Sequence, residues 1–342
     1  MKIILDAMGG DNAPGEIVKG AVDAQKEFGV DIVLVGREEE VRQSLADCGA
    51  ADNRHISVVH AEEVITMHDD PSTAPRTKRN SSMSVALTML KNGEGDACVS
   101  AGSTGALLTG ATLLVKRIPG IRRAALAPVL PNGGKGALLI DCGANAECTE
   151  EYLMQFAYMG SFYAKHIMGI DNPRVALLNI GAEESKGTEL RRRTYALMQE
   201  AGQAGRIRFV GNVEGSDIFF DKADVVVTDG FTGNVLLKSV EGTGKFLMKQ
   251  IKGMFMGSFK AKLGALLVKD GLRSLKRLLD SSEVGGTPLL GISKPVIKAH
   301  GSSDARAIRS AVKQAMAFVD AGVIEEINAN IEYMKLRAGE EV

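Results

Sequence analysis

The sequence predicts an α/β fold: a doubly wound, three-layer α/β/α sandwich built on a mostly parallel sheet. Three observations carry that expectation. Short apolar runs alternate with amphipathic helical stretches along most of the 342 residues. Several runs are apolar on both faces, such as Val225-Val226-Val227 and Ala176-Leu177-Leu178, as a sheet covered by helices on both sides requires. Glycine, at 39 residues against roughly 24 for an average chain of this length, concentrates in the turns that follow these runs.

In chain order, strands are expected at 2–7, 31–36, 56–60, 97–100, 124–129, 137–141, 175–180, 207–210, 225–228 and 296–299. Helices such as 17–28, 83–90, 151–168, 189–201 and 305–321 fall between them. The whole span 1–342 reads as one unit. One stretch breaks the alternation, because 232–279 reads helical throughout, and a basic and apolar helical subregion, 235–282, is expected to protrude as a helical hairpin. From Gly242 to Leu279 the bases Lys245, Lys249, Lys252, Lys260, Lys262, Lys269, Arg273, Lys276 and Arg277 face a single acid, Asp270. Phe246, Leu247, Met254, Phe255 and Leu263 are interleaved with them. Such a basic, apolar helical face suits an anionic membrane surface, an acidic partner or a twin subunit. Packing on the protein's own core is the plainer alternative.

Composition removes several function classes. Lys plus Arg is 41 and Asp plus Glu 42, and Trp is absent, which argues against nucleic-acid binding through phosphate neutralisation and base stacking. Cys48, Cys98, Cys142 and Cys148 have no CxxC spacing and read as reduced cytosolic thiols. The histidines lack HExxH spacing, so no metal site is expected. With no secretory leader and no membrane-spanning run, the protein is expected in the cytoplasm, with peripheral membrane contact left open.

Seven turns of glycine and small polar residues follow the strands: Gly9-Gly10-Asp11-Asn12, Gly102-Ser103-Thr104, Gly143-Ala144-Asn145, Gly181 to Gly187 with Lys186, Gly211-Asn212, Asp229 to Asn234, and His300-Gly301-Ser302-Ser303. In open α/β sheets ligands bind outside the carboxyl ends of strands. Helix N-termini there offer N–H groups to an anion, although N-capping by Ser103-Thr104, Thr232 to Asn234 and Ser302-Ser303 explains any one of them alone. The chain lacks GxxxxGK[ST], GxGxxG after the first strand, and GxSxG. No nucleotide cofactor is therefore expected, and a small free oxyanion or its ester is the ligand indicated.

The ordered set Asp6-Ala-Met-Gly-Gly-Asp-Asn-Ala-Pro14, Asn80-Ser-Ser-Met83, Ser100-Ala-Gly-Ser-Thr-Gly-Ala106, Asp229-Gly-Phe-Thr-Gly-Asn-Val235 and Pro295-Val-Ile-Lys-Ala-His-Gly-Ser-Ser-Asp304 closely resembles the bacterial PlsX family of phosphate acyltransferases. The resemblance runs along essentially the whole chain. It departs at Val284, where the family often shows Tyr, and at Asn12, where many members carry His. It implies a fold similar to phosphotransacetylases and isocitrate dehydrogenases. It also implies a homodimer acting at the membrane surface and a reaction of acyl-[acyl-carrier-protein] with inorganic phosphate. The acyl phosphate formed would feed a membrane acyltransferase that acylates glycerol 3-phosphate.

Under that reaction a phosphate oxygen attacks a thioester, and the site must join two anions and stabilise an oxyanion. Lys186 is a candidate to neutralise phosphate or polarise the thioester, or else is a solvated lysine. His300 is a candidate to protonate the departing thiolate, to hold phosphate through a neutral nitrogen, or to be a structural donor. Asn234 is a candidate oxyanion donor. Gly10, Asp11, Ser103, Thr104, Asn145, Asp229, Thr232, Gly233, Ser302 and Ser303 complete the expected phosphate and acyl site, with Asp229 and Asp11 orienting these groups or capping helices, Asp11 mainly as a cap before Pro14. Cys142, beside Gly143, is a rival nucleophile disfavoured because free cysteines are commonly buried. The segment 69–79 is Pro-rich, charged and expected to be mobile. Arg76, Lys78 and Arg79, with Lys260, Arg273, Lys276 and Arg277, are candidates to meet an acidic carrier or lipid. The rival functions are a short-chain phosphotransacetylase using acyl-CoA, a decarboxylating dehydrogenase and a non-enzymatic membrane-surface scaffold.

Overall fold

The computed structural model describes residues 1–272, 275 and 285–336. The strands are β1 (Lys2–Asp6), β2 (Asp31–Gly36), β3 (Ile56–His60), β4 (Ala97–Ser100), β5 (Ala125–Leu126), β6 (Val129–Leu130), β7 (Ala137–Ile140), β8 (Arg174–Leu178), β9 (Arg208–Val213), β10 (Val225–Val227), β11 (Thr287–Leu290) and β12 (Val296–Lys298). The helices are α1 (Gly15–Phe28), α2 (Glu38–Asp47), α3 (Ala74–Thr77), α4 (Ser82–Asn92), α5 (Thr104–Gly110), α6 (Glu150–His166), α7 (Glu189–Gln203), α8 (Gly230–Met256), α9 (Phe259–Leu267), α10 (Ala305–Asp320) and α11 (Val323–Asn330).

The strands divide between two sheets, ordered β3-β2-β1-β4-β12-β11-β5 and β6-β7-β10-β8-β9. Pairing is parallel from β3 to β12 and from β7 to β9. Among the strands of the described residues, β11 and β6 introduce the antiparallel pairs. Alternation along each strand explains why both faces must be covered. Ile3, Leu5, Ile32, Leu34, Leu138, Ile140, Val225 and Val227 point into one core with α1, α6 and α10. Ile4, Val33, Val35, Leu139 and Val226 point into the other, against α4 and α5. Each core runs beneath both sheets.

The helices follow from sequence in the same way. On α10 the buried Ala305, Ile308, Ala311, Val312 and Ala315 share one stripe, which packs on α1. Asp304 starts α10 by accepting from the Ala307 N–H at 2.9 Å.

The run expected at 124–129 splits into β5 and β6, which belong to different sheets. Pro128, between them, has no N–H to donate to a ladder. Within the described residues the stretch is helical over α8 and α9, and α8 leaves the body, with Gly230, Gly233 and Gly244 its buried residues. Phe246, Leu247, Met254, Met256, Leu263 and Leu267 are exposed, so the plainer alternative of packing on the core does not hold for them. Arg273, Lys276, Arg277 and Val284 lie outside the described residues.

Candidate active site

The turns after β1 and β12 are bonded to each other. The Asp11 N–H donates to Gly301 O at 2.7 Å, and the Asn12 amide donates to the carbonyls of Ser302 and Ser303 at 3.3 Å each. Gly10 makes this approach feasible, since its φ is +103° and a Cβ would lie 2.9 Å from Gly301 O. Behind them, the Ser100 hydroxyl donates to the buried Asp6 carboxylate at 2.7 Å.

Beside these turns, between the two sheets, lies a pocket of about 180 Å³. Its lining includes the polar Thr104, Asn234, Lys238, Glu241, Lys298, His300 and Ser303 together with the apolar Leu126, Pro128, Val129, Leu130, Cys142 and Leu237. The polar set suits an anion and the apolar set an acyl chain.

Lys298 is the unexpected member. It ends β12 with 9% of its surface exposed, and its ammonium donates to the carbonyls of Ala101 and Ala299. Desolvation lowers its pKa to about 8, opposed by the Asp6 charge. Burial in turn raises Asp6, against its bonds from Ser100 and Met8. A cation held this way gains from an arriving anion.

His300 is open to solvent on one side, yet desolvation by the atoms around it, with the nearby lysines, lowers its pKa. Its Nδ1 accepts from the Ser302 N–H at 3.2 Å and lies 2.9 Å from the Ser302 hydroxyl. A backbone amide can only donate, so Nδ1 is the acceptor and Nε2 carries the proton of the neutral ring. Lys238 and Glu241, one turn apart on α8, pair at 2.9 Å.

The start of α8, which presents Asn234, is fixed from three sides. Asp229 caps it, accepting from the Thr232 N–H at 2.8 Å and the Thr232 hydroxyl at 2.9 Å. Arg191 of α7 donates to Asp229 and to the Thr228 hydroxyl. Burial opposes the Asp229 charge, but these bonds hold its pKa below the ordinary value. Buried Asp141 accepts from the amides of Leu126, Ala144 and Asn145. The Asn145 side chain ties Asp141 to Ala124 O, and Asn145 O accepts from Gly230 N–H at 2.7 Å.

Of the residues read from sequence, Thr104, Asn234, His300 and Ser303 meet in the pocket, and Ser302 orients His300. Gly10, Asp11, Asn145, Asp229, Thr232 and Gly233 brace its walls without lining it. Ser103 caps α5 through the Ala106 N–H. Lys186 lies exposed in the turn after β8, outside the pocket lining. Three capping expectations are corrected. Asp11 does not cap α1, whose N-cap is Pro14 with no side-chain bond; Asp304 rather than Ser302 or Ser303 caps α10; and Asp229, for which capping is one expected role, caps α8 in place of Thr232 to Asn234. The Cys142 thiol lines the pocket but donates to Leu139 O, and burial raises its pKa well above the ordinary value, which opposes a thiolate nucleophile. Segment 69–79 carries several side-chain bonds. Lys78 pairs with Asp69 at 2.8 Å and bonds Val64 O, and the Lys78 and Thr66 bonds hold Asp69 at about 2. Arg79 bonds Arg76 O, and Lys260 is exposed on α9.

Residues 1–326 match the family model described as fatty acid synthesis protein. The chain is 49% identical over 333 residues to a phosphate acyltransferase of Oceanobacillus iheyensis, covering 97% of this chain and 98% of the relative. It is 46% identical to a phosphate acyltransferase of Clostridioides difficile, covering 96% and 95%. Among solved structures, a phosphotransacetylase from Streptococcus pyogenes aligns with a TM-score of 0.62 at 20% identity, over 95% of this chain and 94% of that one. A branched-chain phosphotransacylase from Enterococcus faecalis aligns with a TM-score of 0.55 at 16% identity, over 93% and 99%. These structural likenesses establish the α/β fold.

Proposed function

The chain belongs to the fatty acid synthesis protein family and is a phosphate acyltransferase, and from that premise we propose that it transfers a fatty acyl group from acyl-[acyl-carrier-protein] to inorganic phosphate in the pocket between the sheets. The observation that supports this reading is one small cavity lined both by the buried Lys298 and by a set of apolar side chains. Lys298 and Ser303 hold phosphate, and Leu126, Val129, Leu130 and Leu237 take the first carbons of the acyl chain. A phosphate oxygen attacks the thioester carbon, and the carbonyl electrons move onto oxygen. The oxyanion receives hydrogen bonds from the Asn234 amide and His300 Nε2. Collapse reforms the carbonyl, breaks the C–S bond and releases the carrier thiolate, which takes its proton from water. Phosphate is already an anionic nucleophile, so no acyl-enzyme is needed.

The test is incubation with purified acyl-carrier protein and phosphate, following free thiol and acyl phosphate. A short-chain phosphotransacetylase would instead turn over acetyl-CoA efficiently and long-chain acyl-carrier protein poorly. A scaffold would do neither.

The rest of the setting belongs to the same proposal. The chain is one catalytic unit that works as a homodimer in the cytoplasm, peripherally bound to the membrane, and delivers acyl phosphate to a membrane acyltransferase acting on glycerol 3-phosphate. The exposed Phe246, Leu247, Met254 and Met256 beside Lys245, Lys249 and Lys252 support an arm that touches lipid or a second copy. Among the described residues no helix is long and apolar enough to cross a membrane.

A further inference from the structure

A second cavity, of about 430 Å³, opens next to the reaction pocket and is lined by three arginines, Arg76, Arg117 and Arg123. Ser72, Thr109 and Thr112 add hydroxyls, and Leu108 and Leu113 an apolar edge. No carboxylate lines it. Among the described residues none of the three guanidinium groups pairs with an acid, whereas adjacent Arg122 is paired with Glu151 at 3.1 Å. Arg117 donates to Arg122 O, and Arg123 lies 5.2 Å over the Tyr152 ring. Both are thus steadied without losing their charge.

The two cavities share walls. Thr104, at the start of α5, faces the reaction pocket, and Leu108 on the next turn faces the arginines. Along the helix axis that is about 6 Å. Leu126 and Ala124 divide in the same way. An anion among the arginines is therefore too far from the reacting carbonyl to attack it, since reacting atoms must approach to about 3–3.5 Å. It is placed for a charge carried on the same substrate away from the thioester, such as one about a dozen bonds along a flexible arm that can curve over α5.

Resting on the acyl-carrier reading above, we propose that this cavity binds the phosphodiester of the carrier's pantetheine arm, with Arg76, Arg117 and Arg123 forking onto its oxygens and Leu108 and Leu113 flanking the arm. Arginine suits this better than lysine because its planar donors match phosphate oxygens in pairs. The arm then runs over α5, and its thioester reaches Asn234 and His300.

The test compares wild type with the triple variant Arg76→Gln, Arg117→Gln, Arg123→Gln on three substrates: acyl-carrier protein, acyl-phosphopantetheine and acyl-pantetheine. Wild type is expected to show a KM about tenfold lower for the phosphorylated arm than for the unphosphorylated one, the scale of one or two charge-assisted bonds. In the triple variant that gap closes and the carrier KM rises about tenfold, while kcat, the phosphate KM and the thermal midpoint stay put. A gap that survives the substitutions overturns the proposal. So does a rise in the inorganic phosphate KM with the carrier KM unchanged, which would make the cavity a free-phosphate site. A carrier effect without any gap in wild type would assign the arginines to an acidic carrier face and likewise overturn it. If wild type releases no thiol from any of the three, the acyl-carrier reading fails instead. Calorimetric binding of phosphopantetheine to wild type and variant then still decides the cavity's role.

Discussion

Lys298 sets activity and stability against each other. Its pKa, about 8, lies below the usual 10.5, so between those values the unfolded chain binds more protons than the folded one. Stability from this group therefore rises as pH climbs through that window, while activity that needs the cation falls as pH passes about 8. Rate profiles are expected to show an alkaline limb near 8, which Lys298→Arg moves upward by keeping its charge. Lys298→Met is expected to lose about 100-fold or more in kcat/KM without a fall in thermal midpoint at pH 7, because a desolvated charge has been removed. A flat profile through pH 9 would count against the assignment. Cys142→Ser is expected to keep most of the turnover, and loss comparable to Lys298→Met would restore the covalent route. His300 was legible as a polar residue at a strand end. Lys298 was not, because a lysine closing an apolar strand reads as an edge residue, and only the fold turns it inward onto Ala101 O in the turn after β4.

At the scale of an element, the start of α8 is the tightest fit around the pocket. A Cβ on Gly233 would lie 1.9 Å from Asp141 O, so Gly233→Ala must push the helix off the loop after β7 and carry Asn234 with it. The expected cost is on the order of 3 kcal/mol, read as a lower denaturant midpoint together with lost turnover. Gly242→Ala, further along α8 where nothing lies within 4 Å, is the contrast and should stabilise by about 0.5–1 kcal/mol. Sequence periodicity found β2, β3 and β4 to the residue, because each is an isolated apolar run. It missed β11, where Thr287-Pro288 after two glycines imitates a turn, and α2, whose Glu38-Glu39-Glu40 start hides a stripe of only Val41 and Leu45.

For the whole molecule, the contact proposed for the arm can be tested apart from the chemistry, because α8 lines the reaction pocket only near its start, through Asn234, Leu237, Lys238 and Glu241. Replacing Phe246, Leu247 and Met254 together by serine is expected to leave turnover of soluble carrier substrate unchanged and to abolish co-sedimentation with anionic vesicles. Gel filtration of the same variant reports whether the face also joins two copies, and undiminished pelleting would assign lipid contact elsewhere. The partition into two sheets was beyond the reach of pattern reading, since residues 124–129 carry one uninterrupted apolar signal and only Pro128 hints at a change of partner. That crossing also forms part of the cavity, because Leu126, Pro128 and Val129 all line it. An acyl group seated as proposed would touch the last strand of one sheet, the first of the next and the segment linking them, so its binding is expected to fasten the two halves like a rivet and raise the thermal midpoint.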